Sequence, residues 1–99
     1  MIKVEVTKKN ISLTGHAMYA DFGKDIVCAA VSSVVMTSVE SIAALDESAI
    51  DIKEEKDKLT IIINKYDDTT NKLIKTMLNL LHQLAKKYPK NIKITNKEE

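Results

Sequence analysis

One cysteine and two histidines, Cys28, His16 and His82, are the side chains in this 99-residue sequence best suited to nucleophilic and acid–base chemistry. A thiolate is a strong nucleophile, and an imidazole within hydrogen-bond reach can take the thiol proton, so a Cys–His pair points to covalent acyl transfer. His16 follows Gly15 and precedes Cys28 by twelve residues, a spacing that allows a returning loop to bring imidazole beside thiol without requiring it. Taken alone, a helical cysteine among Val and Ala is a small core hydrophobe, and a histidine after glycine is a surface turn residue. His82 lies beside Lys and Gln positions of a second helix and is expected to be solvated.

The element that carries Cys28 sharpens the case for it. From Asp25 to Leu45 the chain runs twenty-one residues without Gly or Pro, with Glu40 as its only internal charge, which is too long for a strand. Its many β-branched residues favour extended structure on propensity alone, but Ala29, Ala30, Ala43 and Ala44 and the length favour a helix. With Asp25 as N-cap, Cys28 takes the third helical position, where unpaired backbone N–H groups and the positive end of the helix dipole favour a thiolate. Asp25 and Ser32 stand three residues before and four after Cys28, on the same face, and form a polar stripe on an otherwise apolar helix. Ser32 can equally bond back to its own helix. Asp25 works against a neighbouring thiolate unless it is paired with His16.

Ile2 to Thr7 alternate strictly, the period-2 signature of a strand with Ile2, Val4 and Val6 inward. Lys8-Lys9-Asn10 reads as a turn, and Ile11, Leu13 and Gly15 repeat the alternation, so residues 1 to 15 predict a hairpin that delivers His16. Residues 17 to 24, containing Gly23, read as an exposed loop. After the long helix, residues 49–53 and 58–64 alternate around the charged turn Glu54-Glu55-Lys56-Asp57. Asp67-Asp68-Thr69-Thr70 then offers N-caps for a second helix ended by Pro89, and Ile92 and Ile94 mark a last strand. The order ββαββαβ predicts an α+β two-layer sandwich, one mixed sheet with two helices, as a single domain over 1–99.

Gly15-His16-Ala17, five residues, then Gly23-Lys24-Asp25-Ile26-Val27-Cys28-Ala29-Ala30-Val31-Ser32 resembles the signature of the ribosomal-processing cysteine protease family, Prp. His, Gly, Asp and Cys in fixed order carry the resemblance, and chain length and element order extend it over essentially the whole sequence. The resemblance implies a cysteine endopeptidase with Cys28 as nucleophile and His16 as base. Gly15, Gly23, Asp25 and Ser32 fall on supporting positions of the same pattern. Its implied substrate is the precursor of the bacterial large-subunit ribosomal protein L-twenty-seven, whose N-terminal extension is removed during ribosome biogenesis. A cytoplasmic homodimer and a mobile loop over residues 17 to 24 are implied as well, and no cofactor is.

Composition narrows the rivals. Hydrophobic content of 44% with 29% charged residues excludes a disordered chain. A net charge of +1 gives no general field for nucleic acid or an anionic membrane, and no direct nucleic-acid contact is expected from it. The N-terminus lacks a signal-peptide pattern and no run approaches eighteen unbroken apolar residues, which predicts a cytoplasmic protein with no membrane contact. One Cys and two His with no i,i+4 pair make an intrachain zinc site unexpected, and two glycines leave no phosphate loop. The alternative reading is a non-catalytic, ribosome-associated dimeric binding module with Cys28 buried at the dimer interface. A redox thiol is weaker, since the chain has no resolving cysteine. The long helix, apolar around most of its circumference, predicts a homodimer that hides what one sheet and one other helix leave uncovered.

Overall fold

A computed structural model of the chain describes residues 1–15 and 26–97. His16, Gly23, Asp25 and the expected loop over 17 to 24 lie outside the described residues. Within them the elements run β1 (Ile2–Val6), β2 (Asn10–Thr14), α1 (Ile26–Leu45), β3 (Ile50–Glu55), β4 (Lys58–Ile63), α2 (Asp68–Lys87) and β5 (Ile92–Asn96). The five strands form one mixed sheet in the order β3-β4-β2-β1-β5. Three neighbouring pairs are antiparallel, and β1 and β5 are parallel with Ile2 opposite Ile92 and Val4 opposite Ile94. The architecture is the two-layer α+β sandwich that the sequence pattern implies.

One face of the sheet is apolar and the other polar, because the alternation in each strand is kept in register across the ladder. Val4 stands opposite Leu13, Ile11 opposite Ile61, and Ile61 opposite Ile52. Both helices cover this face. α1 sets Val27, Val31, Val35 and Ile42 into the core, and α2 sets Ile74, Met77 and Leu81 there, against Ile2, Val4, Ile11, Leu13, Ile61 and Ile92. Val4, Ile11, Ile61, Met77 and Leu81 are fully buried. α2 begins where Asp67 accepts from the Thr70 amide at 3.3 Å, and it closes with the Tyr88 amide on the Leu84 carbonyl at 2.8 Å, one residue before Pro89.

The β3–β4 turn is tighter than the charged tetrad predicts. Glu54 and Glu55 belong to the strand and pair with Leu59 and Lys58, leaving Lys56 and Asp57 as the loop. Asp57 adopts φ 62°, the left-handed region that Asp tolerates better than most residues. β3 is an edge strand, and the helical cover stops short of it: Ile50 is buried, but Ile52, on the same face, is 39% exposed.

Where α1 ends, Asp46 ties the chain down. It accepts from the Ser48 amide at 3.0 Å and the Ser48 hydroxyl at 2.7 Å, and pairs with Lys65 Nζ at 2.7 Å. The Lys65 ammonium, and after it Ser48, hold the Asp46 carboxyl at about 2, below its usual 3.8. A carboxyl depressed on folding contributes stability that is present above its unfolded value and lost as pH falls through the folded one. Urea unfolding followed by circular dichroism is therefore expected to show a stability loss between about pH 4 and pH 2 that Asp46→Asn reduces. The pair is exposed, so the effect is small; identical acid profiles for the two proteins would refute it.

Candidate active site

Cys28 is the third described residue of α1. Its side chain is half-buried and backed by the core. On its open side lies a groove of about 320 Å³ between α1 and the sheet, a volume within the range of small-ligand and peptide subsites. α1 supplies one wall: Cys28, Val31, Ser32, Val35 and Met36 recur at the three- and four-residue steps that keep residues on one helix face. Ile2, Leu13 and Leu59 line the sheet side, and the tip of the β3–β4 hairpin, Glu54 to Lys58 apart from Lys56, forms the far rim.

The polar stripe is thus two residues long among the described ones. Ser32 stands one turn along from Cys28 in the same groove and is exposed. Ser38 and Ser41 turn back onto the Val34 and Thr37 carbonyls, both at 2.7 Å. No such bond forms at Ser32 among the described residues, and Ser32 lines the groove.

Gly15 ends β2 and also lines the groove. It has φ +72°, and a Cβ there would collide with the Met1 carbonyl oxygen, so glycine is required for both backbone conformation and close approach. Its amide donates to the Asp57 carbonyl at 3.2 Å. Two left-handed residues, Gly15 and Asp57, therefore meet across the rim and fix the hairpin tip to the end of β2. The groove's two ends of chain, Gly15 and Ile26, bracket the segment that contains His16, Gly23 and Asp25. His82 is exposed on α2, and no α2 residue lines the groove.

Chemically, the start of α1 offers what acyl transfer needs. Amides in the first turn of a helix have no intrahelical acceptor and aim toward incoming negative charge. Sequence reasoning did not reach the hairpin tip, Leu13 or Leu59 as groove residues. Met36 had a signal: it continues the four-residue step from Cys28 through Ser32.

The sequence matches the cysteine protease Prp family over residues 1–93. It is 32% identical to the ribosomal processing cysteine protease Prp of Mycoplasma genitalium, with 95% of this chain and 94% of that protein covered. It is 30% identical to the protein of the same name from Staphylococcus aureus, covering 98% and 100%. Among solved structures, the essential ribosomal processing protease Prp from S. aureus in complex with a covalently linked product peptide superposes with TM-score 0.88 at 29% identity, covering 98% of this chain and 100% of that one. SMU.848 from Streptococcus mutans superposes with TM-score 0.75 at 25% identity, covering 99% and 93%.

Proposed function

The chain belongs to the cysteine protease Prp family, and from that premise we propose that Cys28 is its nucleophile, His16 its general base, and the extended N-terminus of ribosomal protein L-twenty-seven its substrate. The observation that carries the reading is that a thiol peptidase needs a cysteine and this sequence has one, at the start of a helix and open to a groove. Of the two histidines, His82 is exposed on α2, away from that groove, whereas His16 follows the groove residue Gly15.

His16 takes the Cys28 proton, and Sγ attacks the carbonyl carbon of the scissile peptide. The tetrahedral oxyanion is met by backbone N–H groups at the start of α1, near Cys28. His16 returns the proton to the departing amine, the C–N bond breaks, and a thioester remains. Water attacks the thioester carbonyl, giving its proton to His16, and the carboxylic product leaves with the thiol restored. Asp25 fits the role of orienting His16, and Ser32, one turn from Cys28, fits contact with the peptide. Gly15 shapes the rim, and Gly23 takes the supporting place that the family pattern gives it.

Incubating the purified protein with the L-twenty-seven precursor and reading the product's N-terminus by mass spectrometry tests the whole reading. A shortened product from the wild type and none from Cys28→Ser is expected. The same product from both proteins would overturn it.

The homodimer belongs to the same proposal, as does a cytoplasmic location. α1 has a mean hydropathy of 1.8, enough by length and composition to cross a bilayer, yet only 22% of that stretch is buried within the protein. Val27, Val31, Val35 and Ile42 sit in the core, which accounts for one face, and the surface left over outside the groove includes Ile26 and Leu45. A second copy covering that surface is the simplest way to hide it. Val35 is 2% exposed and belongs to the core of one copy, so Leu45, 67% exposed, is the better probe. Leu45→Asp is expected to shift light scattering from twice 11.1 kDa toward the single mass; an active wild type of monomer mass at micromolar concentration would defeat the dimer.

A further inference from the structure

The net charge of +1 is unevenly spread along the sequence, and the total includes the two terminal carboxylates Glu98 and Glu99. Residues 1–68 carry eight lysines against twelve carboxylates, whereas residues 69–97 carry seven lysines and no Asp or Glu. All seven are exposed. Two of them have partners: Lys72 pairs with Asp68 at 3.1 Å and Lys97 with Glu5 at 2.8 Å. Among the described residues, no carboxylate pairs with Lys75, Lys86, Lys87, Lys90 or Lys93.

The helix geometry aligns them. At about 100° per residue, Lys72, Lys75, Asn79, His82, Gln83 and Lys86 fall within an arc of roughly 100°, every one of them exposed. The buried residues Ile74, Met77 and Leu81 occupy the opposite side. The stripe is about 21 Å long at 1.5 Å per residue, and Lys90, also exposed, follows the helix end. Its amides can donate to phosphate or ribose oxygens between the ammonium groups.

We propose that this face of α2 is a docking surface for the backbone of an RNA helix, bound through phosphate charge without base readout. An anionic membrane fits less well: interfacial helices bury an apolar face in the lipid, and the apolar face of α2 is already occupied by the core. RNA is favoured over DNA by the ribosomal setting of the proposed substrate, and that choice alone rests on the reading above. The groove lies toward the β3–β4 hairpin while α2 packs over the β5 side of the sheet. RNA on α2 therefore leaves the groove open, and the protease can act while docked.

Fluorescence anisotropy with a labelled 20-base-pair RNA duplex at stepped KCl tests this. Three to four phosphates neutralised give a log–log salt slope of about −3 to −4. The triple variant K75Q/K86Q/K90Q is expected to bind at least about tenfold more weakly at 50 mM salt, with the slope cut to about −1, and to cleave free precursor as the wild type does. The control K8Q/K53Q/K56Q, with the same charge change elsewhere, should retain binding. Equal losses in both variants would overturn the docking face. A DNA duplex bound as tightly, or displacement by polyglutamate as effective as by unlabelled RNA, would overturn the assignment to RNA. Binding is read without cleavage, so failure here and failure of the peptidase reading are separate results.

Discussion

Cys28→Ala is expected to lower kcat/KM for precursor cleavage by about 10⁴-fold or more, as loss of a covalent nucleophile does elsewhere, while the fold stays intact. Ten-thousandfold corresponds to about 5.5 kcal/mol of transition-state stabilisation, more than any single rim contact supplies. The structural cost is small by comparison. Cys28 is half-buried at the margin of the core, and removing one sulfur there should move the melting temperature by no more than about 5 °C, the equivalent of about 1 kcal/mol in a domain of this size. The pairing of a large kinetic loss with a small thermal one distinguishes a nucleophile from a packing residue. His16→Ala should follow with a loss of about 10² to 10⁴. A folded Cys28→Ala protein that keeps more than about one per cent of activity would remove the thiol from the mechanism.

The largest stability effect is expected at Gly15. Gly15→Ala puts a Cβ on a residue with φ +72° and drives it into the Met1 carbonyl oxygen, a backbone atom with little room to yield. Left-handed backbone in an L-residue costs about 1–2 kcal/mol by itself, and relieving the overlap brings the total to about 3 kcal/mol. At about 4–8 °C per kcal/mol, the melting temperature should fall by about 12–24 °C. Function should suffer beyond the loss of folded protein. Gly15 holds the Asp57 carbonyl across the rim at 3.2 Å, so its displacement loosens the hairpin tip and should raise KM at temperatures where the variant is still folded. An unchanged melting curve would show that β1 and β2 can separate at this end without penalty.

Most of this fold is legible because its elements are periodic. Strict alternation marks β1 and β2, β4 shows as Leu59, Ile61 and Ile63 two residues apart, and β5 shows as Ile92 and Ile94 about one charge. α2 starts behind Asp67, one of the residues read as its caps. The boundary errors are local chemistry: Glu54 and Glu55 look like turn residues by composition, yet an edge strand tolerates charge on both faces. Strand order was not legible, since nothing in Ile2–Val6 says that it pairs with Ile92–Asn96 in parallel. The same limit applies to the groove. Cys28 and Ser32 share a helix face by arithmetic, but Leu59 and the hairpin tip reach them only through the sheet. Summing charges over the chain likewise hid the lysines of α2, whose grouping emerges only when the helix is wound.

The parallel pairing of β1 with β5 also sets a timetable. Ile2 has its neighbour at Ile92, so the first strand made waits for the last. At about 5–20 residues per second, the intervening ninety or so residues take the ribosome roughly 5–18 s to add. Through that interval one side of β1 lacks its partner strand, and for the part of it between the end of α1 at Leu45 and the end of α2 at Lys87, α1 lacks its full helical neighbour. Pairings this distant also slow the final collapse, because the loop they close is nearly the whole chain. The nascent protein thus spends seconds with its most apolar helix uncovered, long enough for a chaperone at the tunnel exit to engage it.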